Sequence, residues 1–120
     1  MTTPEALTAI ADRVEREEPI AGGPLDADIA EAVLGSDVYP YPPYTTSLDS
    51  AVTLVPKGWR WAAVYEHPQG AFSANLDKPN FCIARGYART EVAARVIAAL
   101  RARAADMQAR FAPHPSPSGN

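Results

Sequence analysis

The chain has 120 residues, which is the length of one small domain. Its formal net charge of −3 argues against non-specific nucleic-acid binding, because such binding depends on neutralising phosphates. We expect neither a transmembrane helix nor a signal peptide, because the chain has no apolar run of about 18 residues and begins without a basic and apolar leader. Its lone cysteine, Cys82, excludes an internal disulfide bond and fits a reducing compartment, so we expect a cytoplasmic protein with no membrane partner.

The charges are distributed unevenly along the chain. Residues 1–35 carry eight acidic and two basic side chains, whereas six arginines lie between Arg85 and Arg110. We interpret both regions as solvated helix faces that attract each other within the domain. A groove-docking nucleic-acid interface at Arg85–Arg110 is the weaker alternative, because these arginines do not share one face.

Helical spacing of apolar residues and capping residues predict three helices in the first half of the chain. The first begins with an N-cap at Thr3 and ends before Pro19. The second has Asp26 as its N-cap and ends at Gly35, and the third, of about eight residues, begins at an N-cap of Ser47. A helix this short needs support from the core.

After these helices the apolar pattern changes to the alternation of β-strands. Three strands joined by short turns are predicted, over residues 59–66, 72–76 and 81–85. The turn His67-Pro68-Gln69-Gly70 has the residue preferences of a type I turn. If side chains alternate strictly along the first strand, one face carries Trp59, Trp61, Ala63 and Tyr65 and the other face carries Val64. Short connections predict an antiparallel meander.

The last predicted helix begins at an N-cap of Thr90 and continues to Phe111. One broad apolar stripe contains Ala93, Val96, Leu100, Ala104, Met107 and Phe111. The opposite side is rich in alanine, with Ala94, Ala98, Ala102, Ala105 and Ala109. This alanine stripe is either a contact with another helix, in this chain or in a second copy, or a solvent-exposed face of good helix formers. Residues 112–120 are rich in proline and serine and are predicted to be a disordered tail.

The order of elements is therefore ααα-βββ-α, which predicts an α+β fold in a single domain over residues 1–111. Both faces of the predicted sheet carry apolar residues. We therefore expect a small three-stranded antiparallel sheet with helices on both faces, an α-β-α sandwich.

Two sequence motifs resemble those of a known family. The motifs are Tyr-Thr-Thr-Ser-Leu-Asp-Ser-Ala at 44–51 and Leu-Val-Pro-Lys-Gly-Trp at 54–59, followed by the alanine- and arginine-rich helix at 97–103. With these motifs the chain resembles the phage ABA sandwich domain family, small proteins of phages and prophages, mostly of alphaproteobacteria. The resemblance implies an α-β-α sandwich and a phage or prophage origin. It brings no catalytic residues to carry over.

The residues that could carry chemistry favour structural interpretations. Ser47 and Asp49 fit a helix N-cap and a first-turn carboxylate better than a nucleophile with its acid, and the chain has no Gly-x-Ser-x-Gly elbow. His67 lies in a turn, His114 lies in the tail, and neither is close in sequence to Cys82, so no metal-ligand spacing is present. The chain also lacks a phosphate-binding loop. We therefore expect no enzyme activity, no cofactor and no metal site.

Five residues are candidates for contact with a protein partner: Tyr39, Tyr41, Trp59, Arg101 and Arg103. The two tyrosines lie in a proline-rich loop, which we interpret as a rigid loop packed on the core, with a Pro-x-x-Pro docking motif as the alternative. For Trp59, a place in the core is favoured over a partly exposed position at a binding interface.

These observations predict a non-enzymatic accessory module, encoded by a phage or prophage, that binds a host or phage protein. Modulation or inhibition of a host defence complex is one concrete form of this function. The alternatives are a virion structural or assembly accessory protein and, less favoured, a nucleic-acid binder that uses Arg85–Arg110. Both a monomer and a dimer fit the sequence.

Overall fold

The computed structural model describes residues 3–17, 23–35, 41–79 and 82–111. Its elements in chain order are α1 (Pro4–Glu17), α2 (Gly23–Leu34), α3 (Leu48–Val52), β1 (Arg60–Glu66), β2 (Phe72–Lys78), β3 (Cys82–Ala88) and α4 (Glu91–Phe111). The predicted α+β class and the order of three helices, three strands and one helix are confirmed. The tail predicted at 112–120 lies outside the described residues.

The three strands form an antiparallel sheet in the order β1-β2-β3. The predicted turn between β1 and β2 is confirmed, because the Gly70 amide donates to the His67 carbonyl oxygen at 2.9 Å and Gly70 has a φ of +85°. Strands β2 and β3 extend further than predicted, to Lys78 and Ala88. The longer β3 places Tyr87 within the sheet.

A β-bulge in β1 changes which residues share a face. The register shifts between Trp61 and Ala63, so that one extra residue separates them. Trp61 lies opposite the fully buried Leu76, whereas Ala63 and Tyr65 lie on the other face. The prediction that Trp61 and Tyr65 share a face is therefore wrong. Strict alternation does not hold across a bulge.

The helices of the described residues pack on one face of this sheet. Helix α4 lies against β2 and β3, and α1 packs along α4 and reaches the sheet at β3. Helices α2 and α3 pack against α1 and α4 respectively. The expected helices on both faces are therefore not found among the described elements. The bulge gives the physical reason: it turns Trp61 and Val64 to the same face, so one layer of helices covers both.

A single glycine allows α4 to approach the sheet closely. A Cβ atom at Gly86 would clash with the Ala94 carbonyl oxygen and would lie 2.7 Å from the Ala98 amide nitrogen. Ala94, Ala98 and Ala102 are fully buried. At Ala94 and Ala98 the alanine stripe is therefore a contact inside this chain, made with strand β3 and not with another helix, and the small side chains there are what the close approach requires. Ala109, at the far end of the stripe, is exposed.

The N-terminal part of the fold is joined to the loop before α3 by a buried carboxylate. Asp26 lies in the first turn of α2, so the predicted N-cap position for Asp26 is wrong. Its Oδ1 atom instead accepts hydrogen bonds from the Thr45 amide at 2.8 Å and from the Thr45 hydroxyl at 2.9 Å. The neighbouring Tyr44 is buried. Tyr44 therefore packs on the core, as the rigid-loop interpretation expected, whereas Tyr41 of the same loop is exposed.

Candidate functional site

The face of the sheet opposite α4 presents nine side chains in three rows across the strands. We call this surface the outer face. The rows are Tyr65, Ser73 and Tyr87, then Ala63, Asn75 and Arg85, then Arg60, Asp77 and Ile83. Each row follows from the pairing register, because side chains of directly paired residues lie side by side on one face. The outer face is thus positioned by backbone hydrogen bonds and does not depend on a loop.

Three large side chains of the outer face are strongly exposed. Tyr65 and Ile83 each expose 56% of their surface and Tyr87 exposes 50%. Tyrosine and isoleucine are good strand formers, so an isolated one on a solvated face needs no function. An antiparallel sheet with one open face is normally polar on that face. Three such residues on nine positions make this face unusually apolar for a solvated sheet surface.

The first row is held in place by a histidine at the turn. His67 Nε2 lies 2.6 Å from Ser73 Oγ, and the rings of His67 and Tyr87 have centroids 5.7 Å apart at an angle of 53°. A serine beside a histidine is also the geometry of an activated nucleophile, which requires a third group that orients the histidine. Among the described residues, no carboxylate contacts the His67 ring. We therefore assign this pair to fixing the Tyr87 ring.

The outer face carries more positive than negative charge. Arg60 Nε donates to Asp77 Oδ1 at 2.9 Å, and this exposed ion pair closes one end of the face. Arg85 is exposed in the middle row. One arginine of the face is therefore not balanced by a carboxylate of the face.

A groove of about 380 Å³ lies at the other end of the outer face. We call it the end groove. It is lined by Glu15 and Arg16 of α1, Gln69 and Ala71 of the β1–β2 turn, Tyr87 of β3 and Arg89. Tyr87 belongs to both surfaces, so the end groove is continuous with the outer face.

Arg101, which the sequence suggested as a binding residue, uses its guanidinium for contacts inside the fold. Its Nη1 donates to the Arg85 carbonyl oxygen at 3.0 Å, and its Nη2 lies 2.9 Å from carboxylate oxygens of Asp12 and of Glu15. Burial alone would lower the pKa of Arg101, but the hydrogen bonds to Glu15 and Asp12 and the charges of these carboxylates together outweigh it, so the pKa is raised. Arg101 therefore joins α1, α4 and the outer edge of β3.

Arg103 and Trp59 also have partners inside the chain. Arg103 Nε donates to the Leu54 carbonyl oxygen at 2.6 Å, and burial lowers the pKa of Arg103. Trp59 is 7% exposed, and its indole nitrogen donates to Asp106 Oδ2 at 3.0 Å. The core position favoured for Trp59 is therefore confirmed.

Of the predicted binding residues, Trp59, Arg101 and Arg103 each have a hydrogen-bond partner inside the chain. Tyr41 is 40% exposed, and Tyr39 lies outside the described residues. Sequence reasoning selected the conspicuous aromatics and arginines and missed the outer face. The outer face could have been found from the alternation of Ile83, Arg85 and Tyr87, which continues beyond the predicted end of β3.

The described part of the chain offers neither a metal-ligand cluster nor a membrane span. Its histidine, cysteine, aspartate and glutamate side chains nowhere gather in a group of three or more that could hold a metal ion. Within the same residues, no helix combines the length and apolarity needed to cross a membrane.

Comparisons with known proteins return no relatives from which a function could be transferred. No family model matches the chain, and neither a curated protein nor a solved structure is significantly similar to it. The resemblance to the phage ABA sandwich domain family stays a prediction from the sequence motifs.

Proposed function

We propose that this chain is a non-catalytic module that binds another protein through its outer face. The observation that carries this proposal is the half or greater exposure of Tyr65, Ile83 and Tyr87 on one rigid sheet surface. Tyrosine is enriched at protein interfaces, where its ring adds contact area and its hydroxyl remains hydrogen-bonded. The pairing register and the contact between His67 and Tyr87 hold these side chains in place before a partner arrives. Such preorganisation lowers the entropic cost of binding.

The size of the outer face favours a short segment of a partner over a flat contact with a whole domain, a second copy of this chain included. Three strands of seven residues span roughly 14 by 23 Å, or about 330 Å², given ordinary strand spacing and rise. A stable dimer buries about 800 Å² on each partner. A flat contact between two outer faces would fall well short of this area. A short segment of another protein fits it better.

The edges of the sheet do not favour binding by strand addition. The β1 edge carries the bulge at Trp61, and bulges are a common device against edge pairing. The β3 edge is covered where Arg101 donates to the Arg85 carbonyl oxygen. A partner strand would have to displace this hydrogen bond. The face is therefore the more accessible surface.

Nucleic-acid binding through Arg85–Arg110 receives less support. Arg95 pairs with Glu91 and stacks on Trp61, while Arg101 and Arg103 donate within the fold. These three guanidinium groups are not arranged for phosphates. The net charge of −3 also opposes a polyanion.

The biological setting we propose is that of a phage or prophage protein that binds a host protein, with a host defence complex as one concrete target. The support for this setting is the resemblance of residues 44–51 and 54–59 to the phage family. A virion accessory that assembles through the alanine stripe has less support, because Ala94, Ala98 and Ala102 are buried inside this chain.

The test compares two triple variants in affinity capture from a bacterial lysate. The first replaces Tyr65, Ile83 and Tyr87 with serine, and the matched control replaces three other exposed apolar residues, Leu34, Leu48 and Val52. Circular dichroism and thermal melting confirm that each variant folds. We expect a protein captured by the wild type to be lost with the outer-face variant and kept with the control. Capture that survives in the folded outer-face variant would overturn the proposal.

A further inference from the structure

The outer face has a trough along its central strand. Strand β2 contributes only short side chains to this face, whereas β1 and β3 contribute mostly long ones. The short side chains form the floor and are half-buried: Ser73, Asn75 and Asp77. The long side chains form the walls and are exposed: Arg60 and Tyr65 on β1, and Ile83, Arg85 and Tyr87 on β3. We call this surface the trough.

Within the floor of the trough, Asn75 alone lacks a partner in the described part of the chain. Ser73 Oγ lies 2.6 Å from His67 Nε2, and Asp77 Oδ1 accepts a hydrogen bond from Arg60. Asparagine is depleted in strands, and Asn75 stands at the middle of the central strand. A residue poorly suited to its strand position, with its donors and its acceptor unused by the fold, indicates a binding role.

The dimensions of the trough suit an extended chain. Strands β1 and β3 are two strand spacings apart, so the backbones under the two walls are separated by about 10 Å. An α-helix with its side chains is about 10–12 Å wide, so it would rest on the walls and not reach the floor. Its backbone N–H and C=O groups are also bonded to each other. An extended segment is narrower and leaves these groups available on its edges.

We propose that the trough binds an extended segment of the partner protein through the backbone of that segment. The Asn75 carboxamide donates to the C=O and accepts from the N–H of one partner residue, two groups that an extended residue presents on the same edge. With that edge toward the floor, the side chains of the segment point alternately to the two walls. Those beside Tyr65 and Tyr87 are apolar. This inference rests on the proposed function and names the conformation of the partner and how it is recognised.

Single-stranded nucleic acid is the rival occupant, because it also stacks on exposed aromatic rings. Sites of that kind combine the rings with a positively charged groove. The floor of the trough carries Asp77 and no cation, and the chain has a formal net charge of −3. The peptide is therefore the occupant that the floor favours.

The experiment selects peptides from a random 12-residue display library with the full chain as bait. Clones that also bind the folded triple variant, in which serine replaces Tyr65, Ile83 and Tyr87, are discarded. The best remaining peptide is labelled, and its affinity is measured by fluorescence polarisation. A set of versions of this peptide replaces each backbone amide in turn with an ester, which removes one N–H and leaves every side chain unchanged.

Each peptide version is titrated against the wild type, Asn75→Leu and the matched control Gln108→Leu. The control removes an exposed carboxamide from α4, which lies on the other side of the sheet. Thermal melting confirms that each variant folds. Asn75→Val adds a second measurement, because valine is a better strand former than asparagine and has no hydrogen-bonding group.

We expect Asn75→Leu to weaken peptide binding roughly tenfold, the loss expected when one side of a hydrogen-bonded pair is removed. One ester position should weaken binding to the wild type by a similar factor and have little effect in Asn75→Leu, because both changes remove the same contact. Gln108→Leu should keep the wild-type affinity and the same ester-sensitive position. Asn75→Val should bind weakly and melt no lower than the wild type.

Several results would overturn the inference and leave the proposed function standing. One is a selected peptide that binds Asn75→Leu as tightly as the wild type. Another is a peptide whose difference circular dichroism spectrum shows a helix in the complex. A third is an Asn75→Val protein that melts well below the wild type, which would assign Asn75 to the fold.

Two further results would remove both proposals. The first is a selection that returns no clone able to distinguish the wild type from the triple variant. The second is a single-stranded oligonucleotide of twelve thymidines that binds more tightly than the peptide and is lost in the triple variant, which would assign the trough to nucleic acid.

Discussion

Arg101 of α4 donates a hydrogen bond to the backbone carbonyl of Arg85, so that a helix side chain covers the outer edge of β3. The same guanidinium reaches Asp12 and Glu15 of α1. One residue thus connects three elements that are far apart in the sequence. Arg101 also fixes one wall of the end groove, because Glu15, which accepts its hydrogen bond, lines that groove.

Replacing Arg101 with methionine should therefore lower the free energy of unfolding by about 1–3 kcal/mol, because three hydrogen bonds to a charged donor are lost. Urea denaturation measures the change. Arg101→Lys keeps the charge but not the planar fork, so we expect an intermediate loss. Arg60→Met is the control, because its ion pair with Asp77 is largely exposed and such pairs contribute less than about 1 kcal/mol. Equal losses for Arg60 and Arg101 would contradict the connecting role of Arg101.

The contact between β3 and α4 predicts that Gly86→Ala is strongly destabilising. The new methyl group would overlap the Ala94 carbonyl oxygen, so the helix or the strand must move. Overpacking costs about 1–3 kcal/mol and occasionally more. We expect a loss at the upper end of this range, because the obstacles are backbone atoms that cannot rotate away. Thermal unfolding gives the measurement.

A second glycine separates this steric effect from a general intolerance of glycine substitution. Gly70 has a positive φ, and a Cβ atom added there would meet no neighbouring atom within 4 Å. Asparagine tolerates that backbone conformation. Gly70→Asn should therefore change the melting temperature little. A Gly86→Ala protein as stable as Gly70→Asn would show that α4 does not pack this closely against β3.

The N-cap of α3 provides a smaller prediction. Ser47 Oγ accepts a hydrogen bond from the Ser50 amide at 3.3 Å, as the sequence predicted. Ser47→Ala should lower stability by about 1 kcal/mol, while Ser47→Asp keeps an acceptor and should restore it. Chemical denaturation of the two variants checks this. If Ser47→Ala abolished partner binding without changing stability, the structural role of Ser47 would be refuted.

The fold was predictable from the sequence to the extent that local signals determine it. The caps at Ser47 and Thr90 and the turn at His67–Gly70 depend on neighbouring residues, and each is found as predicted. The role of Asp26 was not predictable in this way, because its partner Thr45 is 19 residues away. Asp26 is a good capping residue near a helix start, but in the structure it is the buried acceptor that holds the loop before α3.

The candidate site was harder to predict, because it depends on a register shift. One extra residue after Trp61 exchanges the faces of the residues that follow, and alternation alone does not reveal a bulge. The arginines of α4 were equally ambiguous. Arg101 is used inside the fold because acids of α1 lie beside it, a contact across 86 residues or more.

The buried Tyr44 predicts that the free energy of unfolding decreases at alkaline pH. Burial raises the pKa of Tyr44 above its ordinary value near 10, with Arg103 opposing the shift and Asp26 adding to it. The folded chain therefore holds this proton more tightly than the unfolded chain does. The stabilisation is present below pH 10, and stability should fall as pH rises above about 10.

Urea denaturation between about pH 9 and 11 measures this slope, and Tyr44→Phe should reduce it because the ring remains while the ionisable hydroxyl is removed. Tyr65→Phe is the matched control: it deletes a hydroxyl from the exposed outer face and retains Tyr44, so the wild-type slope should persist. A slope that is the same in Tyr44→Phe and in the wild type would mean that other groups govern the alkaline transition. A slope lost in both variants would mean that the two hydroxyls contribute together.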